Sequence, residues 1–289
     1  MKEFFEIFIH HGFIQNAVIA GVLSSFACGI TGTFVVIKKI SYIAGGIAHA
    51  VLGGLGIAYY LGIDPLIGAL VFSVLSALFI GLVKLKFSQN EDTVIAALWS
   101  IGMAVGIIFT AITPGYKVDL LSFLFGNILM VTGSDLWVLG TFDLVIFLIV
   151  TIFYRQLVYV CFDEEYAALR GISVSYIYLL LLCLIAVTVV ILIHVVGLIL
   201  VIALLTLPAA ISELFSKTPG KMMVLSILLS ILFTFSGLFF SFLTDLPSGA
   251  SIIIAAGIGY LFALGLTNLL RIFRKKKKIQ SDSESIAFL

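Results

Sequence analysis

Charge is what this sequence has least of. Its 289 residues include 16 Lys and Arg and 15 Asp and Glu, 11% of the chain, where a soluble domain carries about a quarter. That scarcity excludes a water-soluble globular protein. The apolar excess agrees, with 62% hydrophobic residues and a mean hydropathy of +1.27. The net charge of +1 averages over loops with different roles and excludes nothing. Cysteine is scarce too. Cys28, Cys161 and Cys183 stand far apart, so no disulfide framework or zinc-type Cys motif is indicated, and thiols in apolar runs act as small hydrophobes. The sequence has no G-x-x-x-x-G-K-[ST] loop, so the chain has no nucleotide-phosphate cradle of its own. Without HExxH or GxSxG, neither a zincin nor a nucleophile-elbow enzyme is suggested. It also lacks a basic stripe interleaved with aromatics, which argues against nucleic acid as a partner. The N-terminal MKEFFEIFIHHGF lacks the layout of a cleaved signal and reads as an interfacial lead-in, with His10 and His11 solvated. No internal repeat is evident.

What is present is a series of apolar runs. A spanning helix needs about 20 mostly apolar residues. Runs of this kind lie at roughly 13–37, 42–62, 65–83, 92–112, 136–153, 174–195, 196–215, 222–243 and 249–270. The expected fold is all-α, a polytopic transmembrane bundle of eight to nine spans. The piece LLSFLFGNILMV at 120–131 is too short to span and is expected to be re-entrant or interfacial. Lys38, Lys39, Lys84, Lys86, Arg155, Lys217, Lys221, Arg271 and the RKKKK run at 274–278 all follow odd-numbered spans. By the positive-inside rule this predicts a multi-pass protein of the cell membrane with its N-terminus outside and C-terminus inside. Of the opposite loops only one carries a cation, Lys117. The domain reading is a membrane domain over 1–273 and a basic, polar cytoplasmic tail over 274–289, expected to be disordered.

The unusual span is the second. In ISYIAGGIAHAVLGGLGIAYYLG, residues three and four apart share a face. Gly45, His49, Gly53 and Gly56 form one row, and Gly46, Ala50 and Gly54 the next. Small-xxx-small rows let membrane helices pack with their backbones close, so His49 belongs to a protein-facing stripe. It lies about 12 Å from the inner end at 1.5 Å per residue. Intramembrane ionisable groups mark substrate or proton paths, a reading favoured here over a structural His bonded to a carbonyl. Asp143, in the fifth span, lies about 10 Å from the outer end. With His49 it would offer a divalent cation an imidazole and a carboxylate; equally, it could accept hydrogen bonds from neighbouring helices. His194 ends the sixth span, at the level of an entrance ligand or a plain interfacial His. Asp64, Asp119 and Asp245 fall in outer loops and read as turn residues. Glu91 and Asp92 precede Thr93 at the start of the fourth span, where acids complement the helix dipole. FDEEYAALRGI at 162–172 reads as a short polar helix with a Gly stop, and its acidic start argues against an anionic lipid surface.

Taken together, these stretches resemble the permease subunits of ABC importers for zinc, manganese and iron. The likeness rests on SYIAGGIAHAVLGGLGIAYYLG, EDTVIAALWSIGMAVG, LSFLFGNILMV, FDEEYAALRG and VVGLILVIALLTLPAAISE, in that order along nearly the whole chain. It implies a homodimer, or a pair with a sister permease, which itself catalyses nothing and holds no permanent cofactor. It also implies ATP-binding subunits docked on a coupling segment at about 160–172, with Asp163, Glu164, Glu165, Ala167, Ala168 and Gly171 at the contact. An extracellular metal-binding protein would deliver the cargo. Many members carry Asp four residues before the His, where this chain has Gly45. A carboxylate from elsewhere is then expected to replace it, with Asp143 matched in depth. An imidazole without a carboxylate pair leans towards zinc over manganese. A self-contained secondary transporter or channel is the less favoured alternative, since membrane charge pairs and inverted repeats are not evident.

Overall fold

The computed structural model describes residues 12–87, 91–114, 123–124 and 126–287. Among them are ten α-helices, one short 3-10 helix at Ile128–Met130 and no strand. The helices are α1 (Gly12–Ile37), α2 (Ser41–Leu61), α3 (Pro65–Phe87), α4 (Glu91–Ile112), α5 (Gly133–Phe162), α6 (Glu164–Leu169), α7 (Val174–Val196), α8 (Leu198–Phe215), α9 (Pro219–Thr244) and α10 (Ser248–Ala287). All but α6 contain a stretch long and apolar enough to cross a membrane, nine candidate spans in all. Only helices satisfy every backbone polar group within a single segment in lipid. The absence of strands among the described residues follows from the same constraint as the hydropathy.

α1 and α7 form the interior. α1 packs on α5, α7, α8 and α9, while α7 joins this group to a second one made of α2, α3 and α4. α10 closes the far side against α8 and α9. Hydroxyls buried in the interior mostly bond back to the carbonyl one turn earlier, as Ser25, Thr31, Thr33 and Thr188 do. This satisfies them where no water is available.

Tight connections keep the helices in register. α7 and α8 are separated by Gly197 alone, whose φ of 85° is a conformation open to glycine at little cost. The fifth span is longer than its apolar core, running to Phe162. It starts on a reciprocal capping box between Thr132 and Asp135, which satisfies orphan donors of the first turn. The segment leading into it, described from residue 126, is irregular apart from its 3-10 turn, and is tied to α1 by Asn16 Nδ2 donating to the Val131 carbonyl at 3.1 Å. One expectation differs from the structure. The backbone is helical to Ala287, through the tail expected to be disordered. No Gly or Pro follows Gly265 in that helix, and Lys, Arg, Gln and Glu are good helix formers.

Candidate metal pathway

The glycines of α2 are matched by glycines on its neighbours. A Cβ on Gly56 would lie 2.4 Å from the Gly106 carbonyl oxygen of α4, and one on Gly53 would lie 2.9 Å from that of Gly102. Towards α3, a Cβ on Gly54 would lie 2.3 Å from the Gly68 oxygen. Gly46 abuts the Ile95 side chain. The close-packing surface therefore mates α2 with α3 and α4 of the same chain. Gly45 is different, because a Cβ there meets nothing within 4 Å.

His49 sits where this seam opens. Its ring stacks on Trp99 of α4 with centroids 3.9 Å apart and planes 9° from parallel. Trp99 is held in turn by its indole N–H, which donates to Met103 Sδ at 3.0 Å. His49 is half-buried, and its buried Nδ1 has no hydrogen-bond partner among the described residues. One turn away, Gly45 leaves the space beside it free. The result is an imidazole fixed in orientation by Trp99, with one buried ring nitrogen unpartnered among the described residues.

Asp143 is not brought to His49. It is 4% exposed, on a helix packed on α1 and α7, within electrostatic range of Cys28 of α1. His49 belongs to the α2–α4 seam. Matched depth along the membrane normal does not bring the two together, because their helices occupy different positions around the bundle. Asp143 Oδ2 also lacks a partner among the described residues. No cluster of three or more His, Cys, Asp or Glu side chains able to hold a metal occurs among them.

His194, in the last turn of α7, faces Asp135 of α5, with Nε2 and Oδ1 3.6 Å apart. Both line a cavity of about 260 Å³ together with Asn127 and Met130. Asp135 was not singled out in the sequence; its only signal there is the Thr-x-x-Asp capping pattern. Trp99 likewise gives no sign of facing His49. Asp64 accepts the Leu66 N–H at 2.8 Å and Asp245 ends α9 with φ 54°, both turn roles. His10, His11, Lys117 and Asp119 lie outside the described residues.

At the other end of α5, Asp163 both ends that helix and caps α6, accepting the Tyr166 N–H at 2.9 Å. α6 is held in place from two sides. Lys38 Nζ pairs with Glu164 and donates to the Val160 carbonyl at 2.9 Å, and Tyr166 packs edge-on against Tyr159. Ala167 points inward and is fully buried. Glu165, Ala168 and Gly171 are exposed, Gly171 with φ 75° as the stop. Phe162 and Leu169 are 65% and 88% exposed, so α6 presents a firm, partly apolar knob.

The site thus sits in a multi-pass helical bundle, with an intramembrane imidazole stacked on an indole and a braced surface helix at one end. The chain belongs to the ABC 3 transport family, whose model matches residues 10–267, and it is a permease of the metal-type ABC importers. It is 44% identical over 252 residues to a probable metal transport system membrane protein of Chlamydia pneumoniae, covering 85% of this chain and 86% of that one. It is 36% identical to the manganese transport system membrane protein MntC of Halalkalibacterium halodurans, covering 90% and 89%. Among solved structures, PsaBC from Streptococcus pneumoniae in complex with Fab aligns with a TM-score of 0.82 at 32% identity, covering 91% of this chain and 94% of that one.

Proposed function

We propose that this permease carries manganese, as the membrane subunit of an importer driven by separate ATP-hydrolysing subunits. It works as a homodimer, with the ATPases seated on α6 at the cytoplasmic side and a metal-binding protein delivering cargo at the outer face. This orientation, N-terminus outside and C-terminus inside, follows the cation-rich loops. What supports the choice of metal is that relatives aligned over nearly their whole length are named for manganese transport or import. The lean of ligand chemistry towards zinc yields to it. Manganese prefers oxygen ligands, and the open space at Gly45 leaves room for water beside His49. In this reading His49 offers its imidazole to the passing ion, while Asp143, sealed against α1, serves packing. The test is uptake by proteoliposomes containing the complete complex and its binding protein. ATP-dependent manganese uptake that His49→Ala abolishes is expected. Uptake confined to zinc or iron would overturn the metal, and uptake without the ATPase would overturn the class.

A further inference from the structure

Asp135 and His194 face each other as a loose ion pair. Their 3.6 Å separation is too long for a hydrogen bond between a ring nitrogen and a carboxylate, about 2.7–3.2 Å. It is close to the spacing of two donors on one divalent cation. With metal–donor distances of about 2.0–2.2 Å, two donors on one cation stand roughly 3.3–3.6 Å apart at a tetrahedral angle and roughly 2.8–3.1 Å apart at the right angle of an octahedral site. The carboxylate is also divided in its duties. Oδ2 accepts from Thr132 N at 2.9 Å and from Thr132 Oγ1 at 2.7 Å, which fixes the group in the capping box. Oδ1 is left to point at His194. Ligating carboxylates are commonly steadied by just such outer hydrogen bonds.

The surroundings suit a hydrated ion. The cavity of about 260 Å³ has room for several waters. Its wall includes Asn127 and, at 77% exposure, the thioether of Met130. It lies at the end of the bundle where α1 begins, since Asn16 bonds Val131 next to the capping box. The α6 knob lies at the opposite end, where Lys38 closes α1. By the proposed orientation the cavity is therefore on the outer face.

We propose that Asp135 and His194 form a two-donor cation site at the outer mouth, where the divalent cargo first binds the permease. One nitrogen and one oxygen, with water in the remaining positions, hold an ion loosely enough to release it onward to His49. Such a site suits transit rather than storage. This inference rests on the reading that the chain conducts a divalent metal, and its test is separate from that reading.

The test is a Co²⁺ titration of the complete complex in nanodiscs, followed by the visible absorption that reports nitrogen and oxygen ligation. His194→Gln and Asp135→Asn are compared with wild type. Asn at 135 can still accept from Thr132, so the cap survives, and His194 is exposed enough for Gln to be tolerated. Each variant is expected to weaken one Co²⁺ site at least tenfold, and Mn²⁺ is expected to compete for that site. His49→Ala is expected to leave it intact. Identical titrations for wild type, His194→Gln and Asp135→Asn would overturn the proposal, as would loss of the site in His49→Ala alone. If the wild-type complex fails to transport any divalent metal in proteoliposomes, the transport reading fails, whatever the Co²⁺ spectra show.

Discussion

Adding one methyl group to Gly56 should damage the bundle far more than adding one to Gly45, though both lie on the row of α2 that carries His49. A Cβ on Gly56 would stand 2.4 Å from the Gly106 oxygen, 2.7 Å from its Cα and 2.9 Å from its carbonyl carbon. Ordinary contacts of this kind are 3.4–4 Å. The obstacle is the backbone of α4, which cannot rotate aside as a side chain can. α2 and α4 must separate by about 1 Å along this stretch, and well-packed interiors lose about 1–3 kcal/mol when overfilled in this way. Gly102 and Gly106 are pressed equally close to Ala50 and Leu52, so the separation propagates along the seam towards the His49–Trp99 stack.

The measurement is equilibrium unfolding of the purified permease in mixed micelles, with Gly56→Ala set against Gly45→Ala. Gly45→Ala is expected to be neutral or slightly stabilising, because Ala favours helix by up to about 1 kcal/mol over Gly and its methyl meets nothing. Gly56→Ala is expected to lose about 1–3 kcal/mol despite the same gain in propensity. Adding Gly106→Ala to Gly56→Ala should cost less than the sum of the two, since neighbours sharing one displaced backbone are not additive. If Gly56→Ala and Gly45→Ala agree within about 0.5 kcal/mol, the usual scatter for harmless substitutions, α2 and α4 are not in backbone contact and the account of the glycine row is wrong.

Gly45→Asp should be accepted without loss of folding and should tighten divalent-cation binding near His49, because it places a carboxylate one turn from the imidazole in free space; unchanged Mn²⁺ affinity in the complete complex would show that His49 does not face the ion. Lys38→Met should destabilise the junction of α1, α5 and α6 by about 1.5–3 kcal/mol, the range for hydrogen bonds to charged groups. It removes a 13% exposed cation from both Glu164 and the Val160 carbonyl. The same variant should lower metal transported per ATP hydrolysed, and a Lys38→Glu, Glu164→Lys exchange should restore part of that ratio; equal ratios in Lys38→Met and wild type would refute the strut. Trp99→Leu should loosen the His49 ring and weaken manganese uptake less than His49→Ala does, which the same proteoliposome assay would check.

The lipid environment made the spans legible in the sequence. A segment that crosses a bilayer must satisfy its backbone internally and stay apolar for about 20 residues, so each span leaves a local signature. The stripe of Gly45, His49, Gly53 and Gly56 is legible for the same reason, because helical spacing fixes which residues share a face. What the stripe faces is another matter. Gly102 and Gly106 could be recognised as small residues of α4, but their fit against Gly53 and Gly56 depends on which helix stands beside which. That order comes from packing among many apolar surfaces of nearly equal hydrophobicity.

Asp143 shows where one-dimensional reasoning about a membrane protein stops. Counting residues along a span gives depth at 1.5 Å per residue, and depth is one coordinate of three. Asp143 and His49 share it approximately, yet one is buried on a helix packed against α1 and α7 and the other is stacked on Trp99 of α4. Asp135 presents the converse case. In the sequence it shows only as the last residue of a Thr-x-x-Asp pattern, and in the structure its Oδ2 accepts from Thr132 in the capping box. A carboxylate has two oxygens, however, and local sequence accounts for only one of them. The second turns to His194, some sixty residues along the chain. A capping Asp whose other oxygen faces an imidazole across a polar cavity deserves to be tested for cation binding before it is counted as purely structural.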